Sequence, residues 1–304
     1  MIIAAILLAA FNLDFLLGEP PSRFHPVAWT GNWIGFLWVK RPVGSLRLFL
    51  WGLVITLSGI IIFALPLILL RHLPDTVMIL ISIPVLKLSF SLRNLFKAAS
   101  GIQKLLEEDK LSEARSETSR HLVSRETSEL TESEVAAAVI ESTAENITDS
   151  FTSPMFFFLL LGLPGAWTYR FINTCDAMIG YRKDDYEWGG KFAARTDDIL
   201  NFIPARLTTL FIMLAGIRIK KPAEIITKIL RGRGVTDSPN AGWTMAAVAA
   251  LMDIRLEKKG FYVINEEGRP PENGDIITCI KLCRRSTIMI MILSVIAGIL
   301  IYGL

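Results

Sequence analysis

The sequence predicts an all-α, polytopic integral membrane protein with four to six membrane-embedded helices and a cytoplasmic helical region. The first observation is composition: the chain is 52% hydrophobic with a mean hydropathy of +0.45, too apolar for an ordinary soluble domain. The second is the run 48–70, whose 23 uncharged residues can cross a hydrocarbon core of about 30 Å. The third is the helical spacing of apolar residues after residue 92. The net charge of +3 gives no indication of a nucleic-acid partner.

The first ninety residues carry two further apolar segments. Residues 1–17 lack a basic leading region, so we interpret them as an uncleaved first membrane helix, in which Asp14 must face protein or water. Residues 76–92 predict a weaker returning span. Lys87 lies near the end of that span, and we expect its long side chain to reach the membrane surface.

The most unusual charge pattern lies at the end of the polar helical segment. Thr131 and Glu134 form a capping-box pattern that predicts the start of a helix. Glu141, Glu145 and Asp149 follow at intervals of four, so they should share one helical face and repel each other. Such a face is either solvated or balanced by a cation or a basic partner. The residues alone leave both alternatives open.

The second half of the chain alternates apolar and polar stretches. Proline and glycine interrupt the apolar run 151–168, which is therefore either a span or a re-entrant hairpin. Residues 199–217 predict another embedded segment, and Arg206 inside it is a functional candidate. Residues 237–243 predict a turn before an alanine-rich helix, with Asp237 or Ser238 as the cap.

The last part of the chain predicts an exposed loop or hairpin at 265–275 and a final span at 287–304. We expect one domain over 1–304, with a cytoplasmic helical insertion at 87–150 and a cytoplasmic segment at 218–286. The three cysteines are too few and too isolated for a disulfide framework or a metal site, so free thiols are expected.

Basic residues predict which side faces the cytoplasm. Lys and Arg are frequent in 87–150, whereas the turn after the first long span carries only Arg71. We therefore place 87–150 inside, and the polar stretches 170–198 and 218–286 with it. This requires the apolar runs that flank 170–198 to enter the membrane without crossing it fully. The prediction is a multi-pass protein of the cell membrane whose active site faces the cytoplasm.

The motifs limit the chemistry. The chain has no P-loop pattern, no GxSxG and no HExxH. With only three histidines, carboxylates are the available metal ligands, which favours Mg²⁺ over zinc. Acids interleave with arginines between 170 and 206, a mixture that suits phosphate-bearing substrates. The residues alone do not distinguish an enzyme from a transporter of an anionic solute.

Six ordered blocks then give the sequence a family resemblance. They are DFLLGEPPSRFHPV at 14–27, RET at 125–127, ESTAENITDSFTSPMFF at 141–157, PGAWTYRFINTCDAMIGYR at 164–182, AARTDDILNFIPARLT at 193–208 and DSPNAGW at 237–243. With these blocks the chain resembles the CobD/CbiB family, the adenosylcobinamide-phosphate synthases of cobalamin (vitamin B12) biosynthesis. Glu126 and Trp188 are small departures from the pattern we expect.

The resemblance implies a reaction and its participants. It implies ATP-dependent amide ligation of (R)-1-aminopropan-2-ol, or its O-phosphate, to a propionate of adenosylcobyric acid, giving adenosylcobinamide or its phosphate. ATP is then a co-substrate, Mg²⁺ the cofactor and the corrinoid a substrate. The other partner is the lipid bilayer, and a homo-oligomer or a complex with other cobalamin-pathway membrane proteins stays open.

Residue type then suggests roles at the matching positions. Catalytic candidates are Glu145, Asp149, Asp198 and His25, the last two as the base. Metal-ligand candidates are Glu141, Glu145, Asp149, Asp176 and Asp197. Candidates for binding phosphate or corrin groups are Arg23, Arg125, Arg170, Asn173, Arg182, Arg195, Asn201, Arg206 and Asn240. The alternative function is a non-catalytic corrinoid carrier or membrane sensor of the same fold.

Overall fold

A computed structural model describes residues 1–216 and 221–302, and it is almost entirely helical. The first helices are α1 (Ile2–Leu17), α2 (Pro26–Val39), α3 (Ser45–Gly59), α4 (Asp75–Lys87), α5 (Leu92–Glu107), α6 (Leu111–His121) and α7 (Glu132–Ile147). They are followed by α8 (Ser153–Ile179), α9 (Asp184–Gly189), α10 (Lys191–Leu200), α11 (Phe202–Ala215), α12 (Pro222–Gly232), α13 (Ala241–Met252) and α14 (Asn273–Tyr302). The all-α prediction is confirmed.

Shorter elements connect these helices. Two 3₁₀ segments lie at Ser22–Phe24 and Leu65–His72, and two π-helical turns lie at Ile60–Ala64 and Thr148–Thr152. A two-stranded antiparallel hairpin, β1 (Leu256–Lys258) and β2 (Tyr262–Ile264), precedes α14. This hairpin lies just before the predicted loop or hairpin at 265–275. Residue 217 of the predicted embedded segment, residues 218–220 of the predicted cytoplasmic segment and residues 303–304 of the last span lie outside the described residues.

Within the described residues, four helical stretches are long and apolar enough to cross a membrane. They are Ser45–His72, Asp75–Glu107, Glu132–Ile179 and Asn273–Tyr302, and Lys191–Leu200 with Phe202–Ala215 makes a fifth if the two helices form one span. Large apolar side chains on these stretches, such as Leu69 and Leu161, are well exposed. Lipid is the environment in which such side chains carry no penalty. The prediction of a polytopic membrane protein is confirmed.

Helix α1 differs from the expected first span in its length. It has 16 residues, which at 1.5 Å per residue extend only about 24 Å. It therefore falls among the shorter apolar helices rather than among the candidate spans. Asp14 is fully buried in it, so the expectation that this carboxylate faces protein is confirmed.

Helix α8 reverses direction at Gly162. This glycine has φ 66° and ψ −155°, a backbone conformation essentially restricted to glycine. The rings of Phe157 and Tyr169 stack 5.5 Å apart, although a straight helix would separate residues twelve apart by about 18 Å. The predicted alternatives were a span and a re-entrant hairpin, and this geometry is that of a helical hairpin.

The described chain divides into two compact units. The first unit contains residues 1–91, 149–201 and 291–302. Its main apolar cluster is built from Ile34, Trp38, Ile55, Phe171, Cys175, Ile179 and Ala193. Helices α3 and α9 approach so closely that a Cβ atom on Gly52 would lie 1.7 Å from the carbonyl oxygen of Gly189. A side chain at position 52 is therefore incompatible with this packing.

The second unit contains residues 92–148, 202–216 and 221–290. Helix α5 buries the apolar face that its periodicity predicts, including Leu92, Phe96 and Ile102. The capping box of Thr131 and Glu134 forms at the start of α7 as predicted. Helix α13 is alanine-rich and almost wholly buried, which makes it the central helix of this unit.

The three regularly spaced carboxylates do not lie on one uninterrupted α-helix. Helix α7 ends at Ile147, and the chain continues as the π-helical turn Thr148–Thr152, whose hydrogen bonds span five residues instead of four. This turn changes the angular spacing before Asp149. Glu141 and Glu145 belong to the second unit and Asp149 to the first.

Candidate active site

The first unit contains a network of polar side chains around Asn201. Oδ1 of Asn201 accepts hydrogen bonds from the hydroxyls of Ser153, at 2.6 Å, and Tyr169, at 3.0 Å. Its amide donates to Oδ2 of Asp197 at 2.9 Å. The Tyr169 hydroxyl also lies 3.3 Å from Oδ1 of Asp149. Tyr169, Asn201 and Asp197 are buried, so these polar groups need one another as partners. We call these five residues the Asn201 network.

Three backbone features assemble the Asn201 network. The reversal at Gly162 returns the chain, so that Tyr169 comes back alongside Ser153 and Asp149. The π-helical turn carries Asp149 at the start of the hairpin. Helix α10 places Asp197 and Asn201 one turn apart on the same face. The first two features are local breaks in regular helix, which are common at functional sites.

Arg170 and Asn173 extend this network along α8. The Asn173 amide donates to Oδ1 of Asp197 at 3.2 Å, and Nη1 of Arg170 donates to Oδ1 of Asn173 at 3.4 Å. Nε of Arg170 is buried without a hydrogen-bond partner. Because an unsatisfied buried donor is costly, an anionic ligand that accepts from Arg170 would be stabilised there.

Two further acids lie near the Asn201 network. Asp176 is within electrostatic range of Asp149 and Asp198, and Asp197 is within range of Asp149. The structure therefore collects Asp149, Asp176, Asp197 and Asp198 in the first unit, together with Arg170, Asn173 and Asn201. These seven belong to the residues that the sequence predicts for the site.

The five predicted metal ligands do not all belong to one unit. Glu141 and Glu145 lie in the second unit, whereas the three aspartates lie in the first. Among the described residues, no group of three His, Cys, Asp or Glu side chains could hold a metal ion. Mg²⁺ in phosphate-transfer sites is commonly held by one or two carboxylates plus substrate phosphates. Asp149 and Asp197 are linked by hydrogen bonds through Tyr169 and Asn201. They fit the role of two carboxylates that hold Mg²⁺ together with substrate phosphates.

A second group of charged residues lies in the other unit. Nη2 of Arg125 contacts Oε2 of the buried Glu141 at 3.3 Å. The hydroxyl of Tyr262 lies beside Glu141 and Glu145; burial first, and then these two negative charges, raise the pKa of the phenol. Glu145, Lys258 and Tyr262 line a cavity of about 200 Å³. Glu141 is therefore neither solvated nor alone, since it has a basic partner.

Arg206 and Asn240 also meet in the second unit. Nη1 of Arg206 donates to Oδ1 of Asn240 at 3.0 Å, and the guanidinium lies 3.5 Å from the ring centroid of Phe202 and 4.8 Å from that of Trp243. Asn240 precedes α13, where Ser238 Oγ accepts the backbone N–H of Ala241 at 3.4 Å. The N-cap position itself is Asn240, which makes no side-chain cap bond, so Ser238 satisfies the first N–H of the helix from two residues before the cap.

The loop 18–25 is held by charged contacts within the first unit. Nε2 of His25 lies 2.7 Å from Oε2 of Glu19, and Nδ1 of His25 accepts the backbone N–H of Val27. Lys87 Nζ lies 2.8 Å from Oε1 of Glu19 and 3.5 Å from Oδ1 of Asp14. Burial alone would raise the pKa of Glu19, but hydrogen bonds from His25, Lys87 and Ser91 outweigh it and lower this pKa to about 2. Lys87 is only 3% exposed, so the expectation that it reaches the membrane surface is wrong.

Some predicted residues have exposed side chains. They are Arg23, Arg182 and Arg195, and their predicted roles in phosphate or corrin binding stay predictions. His25 caps α2 and pairs with Glu19, while its predicted role as a base stays untested.

The sequence analysis also missed several residues of these sites. Lys87 was a detectable candidate, because an ionisable residue in an apolar segment is functional by default. Glu19 lies inside the first quoted block. Tyr169 lies inside the block at 164–182. Lys258 and Tyr262 lie outside the quoted blocks, and only the fold brings them to acids far away in the chain.

Comparisons with known proteins support one family. A family model described as CobD/Cbib protein matches residues 7–284. The probable cobalamin biosynthesis protein CobD of Methanothermobacter thermautotrophicus is 39% identical over 98% of this chain and 98% of its own length. The cobalamin biosynthesis protein CobD of Dehalococcoides mccartyi is 42% identical over 89% of both chains. The probable cobalamin biosynthesis protein CobD of Pyrococcus furiosus is 39% identical over 97% of both chains.

No solved structure matches this chain. The family match covers far more than half of the sequence and contains the Asn201 network, Arg125, Glu141, Glu145 and the loop 18–25. The relatives align along almost their whole length, with no large segment of either chain left over. The chain belongs to the CobD/Cbib protein family.

Proposed function

We propose that this protein acts in cobalamin biosynthesis and joins (R)-1-aminopropan-2-ol, or its O-phosphate, to a propionate of adenosylcobyric acid through an amide bond, with ATP as co-substrate. The observation that carries the proposal is the near full-length match to relatives named as cobalamin biosynthesis proteins. The two polar sites support it, because each combines acids with basic side chains inside an apolar protein.

The reaction requires activation of a carboxylate, which is a poor acyl donor because its oxygen is a poor leaving group. A propionate oxygen attacks the γ-phosphorus of ATP, giving an acyl phosphate and ADP. The amine nitrogen then attacks the acyl carbon, the carbon–oxygen bond breaks, phosphate leaves and the ammonium proton passes to a base. Positioned charged groups contribute to both steps by stabilising the negative charge that develops on oxygen.

The Asn201 network supplies groups suited to the phosphate-transfer step. Arg170 offers a buried N–H donor that lacks an acceptor, and this donor would bind a phosphate or carboxylate oxygen. Asn201, Asn173 and Tyr169 hold the carboxylates of Asp149 and Asp197 in fixed positions. When bound to these two carboxylates, Mg²⁺ would neutralise phosphate charge. Asp198 is a candidate for accepting the proton of the amine.

The test uses detergent-purified full-length protein with ATP, MgCl₂, adenosylcobyric acid and aminopropanol O-phosphate. We expect adenosylcobinamide phosphate and ADP to form together, detected by mass spectrometry. Asp197→Asn should lower turnover by at least 100-fold, because it removes one of the two paired carboxylates. Asp185→Asn is the matched control, since Asp185 is exposed and contacts only Arg41 in the described ion pairs. Corrinoid binding without ADP or amide formation would favour the carrier instead.

A further inference from the structure

Arg206 lies in a row of exposed apolar side chains on α11. Phe202, Leu210 and Leu214 are exposed, and with Arg206 they follow at intervals of four residues. Each of these side chains therefore lies one turn from the next along the same side of the helix. Exposed apolar side chains of a membrane protein contact lipid. Arg206 is thus a cation on a lipid-facing side of α11, where a guanidinium group is costly without a partner.

Helix α12 carries a second row of this kind. Ile226 and Leu230 are exposed, and Arg233, the C-cap residue, follows Leu230 by three positions. Steps of three and four residues keep these three side chains on one side of the helix. Another side of α12 packs on α13, where a Cβ atom on Gly232 would lie 3.0 Å from that of Ala246. Both helices therefore combine an exposed apolar row with an arginine.

The two arginines meet at one aromatic ring. On α13, the ring centroid of Trp243 lies 4.8 Å from the guanidinium carbon of Arg206 and 4.7 Å from that of Arg233. Both contacts are attractive, because the face of an indole ring carries partial negative charge. The two guanidinium groups are also close enough to act on each other, and like charges repel. An anion that contacts both groups would replace this repulsion with two attractions.

The contacts of the two arginines are with neutral groups. Arg206 Nη1 donates to the carbonyl oxygen of Phe202 at 2.6 Å and to Oδ1 of Asn240 at 3.0 Å. Arg233 lies over the Trp243 ring, and in the described part of the chain neither arginine forms an ion pair with an acid. Both groups keep N–H donors for a further acceptor, since a guanidinium group has more donors than these contacts use.

A phospholipid has the two properties that this surface requires. Its phosphate oxygens accept hydrogen bonds from guanidinium groups, and its acyl chains match the apolar rows that continue from Arg206 to Leu214 and from Arg233 to Ile226. A soluble phosphate compound lacks these chains. A zwitterionic head group would bring its own cation to the two arginines, so their charge favours an anionic lipid.

We infer that Arg206 and Arg233 bind the phosphate group of an anionic phospholipid, whose acyl chains lie along the apolar rows of α11 and α12. Trp243 holds the two guanidinium groups in place, and tryptophan is enriched at the level of lipid head groups. The anion that Arg206 binds is then lipid rather than substrate. The site lies in the second unit, apart from the Asn201 network, and does not depend on the proposed reaction.

Native mass spectrometry of the detergent-purified full chain tests this inference, with phosphatidylglycerol and phosphatidylcholine as probes. We expect phosphatidylglycerol to bind more tightly than phosphatidylcholine. Arg233→Ala should weaken its binding about fivefold, the loss expected when one basic residue near an anionic lipid is removed. Arg233→Lys should keep part of the affinity, because lysine retains the charge without the planar fork of donors. Equal binding of the two lipids by wild type would overturn the inference.

Arg231→Ala is the matched control. Arg231 is exposed two residues before Arg233, so it points to nearly the opposite side of α12. We expect this variant to bind phosphatidylglycerol like wild type, and thermal unfolding verifies that every variant is folded. An equal loss in Arg231→Ala and Arg233→Ala would show that the lipid responds only to overall charge, which would overturn the site.

A competition experiment distinguishes the lipid from other occupants of this surface. Inorganic phosphate and ATP are added in excess to the complex with phosphatidylglycerol, and we expect neither to displace the lipid. Displacement by either one would assign the arginine pair to a soluble phosphate compound and overturn the inference. A lipid-free dimer that dissociates in Arg233→Ala would also overturn it, because a second copy of the chain would then cover this surface.

Discussion

Lys87 is a cation buried in an apolar segment, where an unpaired ammonium group would cost several kcal/mol. Glu19 and Asp14 provide the opposite charges, from the loop and from α1. Because three elements of the first unit meet at this one side chain, Lys87 fixes the position of loop 18–25 against α1 and α4. Its role is to position the loop, which also carries His25.

Lys87→Met should destabilise the protein by about 3–5 kcal/mol, since it removes the buried ammonium group that contacts Asp14 and Glu19. Denaturant-induced unfolding of the purified protein measures this change. Lys97→Met is the control, because Lys97 is exposed on α5, and it should shift stability by no more than about 0.5 kcal/mol. Equal unfolding midpoints for the two variants would show that the ion pairs do not hold the loop.

Glu19 should make stability depend on acid pH. Its pKa falls from 4.5 to about 2 on folding, so its contribution is fully present above pH 4.5 and is lost as pH falls towards 2. The shift corresponds to about 3 kcal/mol at most, because one pKa unit is worth about 1.4 kcal/mol and solvent screening reduces the total. Acid titrations of unfolding should show this loss in wild type and a weaker dependence in Glu19→Gln. Parallel curves between pH 4.5 and 2 would contradict the assignment.

A single residue of α8, Gly162, allows the side chains of the Asn201 network to come together. The reversal at Gly162 converts one apolar run into two antiparallel arms and brings Tyr169 to Ser153 and Asp149. The run of proline and glycine predicts a break, but the sequence alone does not distinguish a kink from a full reversal. That distinction depends on contacts between arms, such as the stacking of Phe157 on Tyr169.

Gly162→Ala should cost about 1–3 kcal/mol, because alanine adopts this backbone conformation only with strain. Gly101→Ala is the control, and we expect it to change the free energy of unfolding in the opposite direction. Gly101 lies exposed within α5, and a Cβ atom added there would have no other atom within 4 Å, so alanine should stabilise the helix by about 0.5–1 kcal/mol. Thermal unfolding of both variants measures the contrast. A stabilised Gly162→Ala protein would show that the chain does not reverse there.

Local signals in the sequence predict local structure well. The capping box of Thr131 and Glu134 needs only neighbouring residues, and it forms as predicted. Ser238 likewise accepts an N–H at the start of the predicted helix, although the N-cap is Asn240. The prediction of a face of three carboxylates assumed uninterrupted α-helix, whereas a π-helical turn at 148–152 begins just before Asp149. Lys87 was misplaced because its partners lie about seventy residues away in the chain, beyond the reach of periodicity.

At the scale of the molecule, the chain passes between its two units four times, so each unit is assembled from distant segments. The predicted insertion 87–150 and segment 218–286 supply most of the second unit. A helical hairpin in α8 returns the chain to the side from which it entered. The placement of 170–198 and 87–150 in the cytoplasm stays a prediction from their basic residues.

Thiol labelling tests that orientation. Ser116→Cys and Asp185→Cys place reactive cysteines at exposed positions, and a membrane-impermeant maleimide should label both only from the cytoplasmic side. His72→Cys, in the turn before α4, should react from the outside. The native Cys175, Cys279 and Cys283 are buried, so wild type provides the unlabelled background. Labelling of Asp185→Cys from outside would show that α8 crosses the membrane.

The hairpin of α8 also sets an order of events during synthesis. Ser153 and Tyr169 both donate to Asn201, which is made 48 and 32 residues later. At roughly 5–20 residues per second, the ribosome needs roughly 2–10 s to travel from Ser153 to Asn201. Throughout that interval the two arms have no common acceptor. A nascent chain that stalls before Asn201 therefore carries a hairpin whose two arms are not yet hydrogen-bonded to Asn201. The site forms only once α10 and Asn201 have been translated.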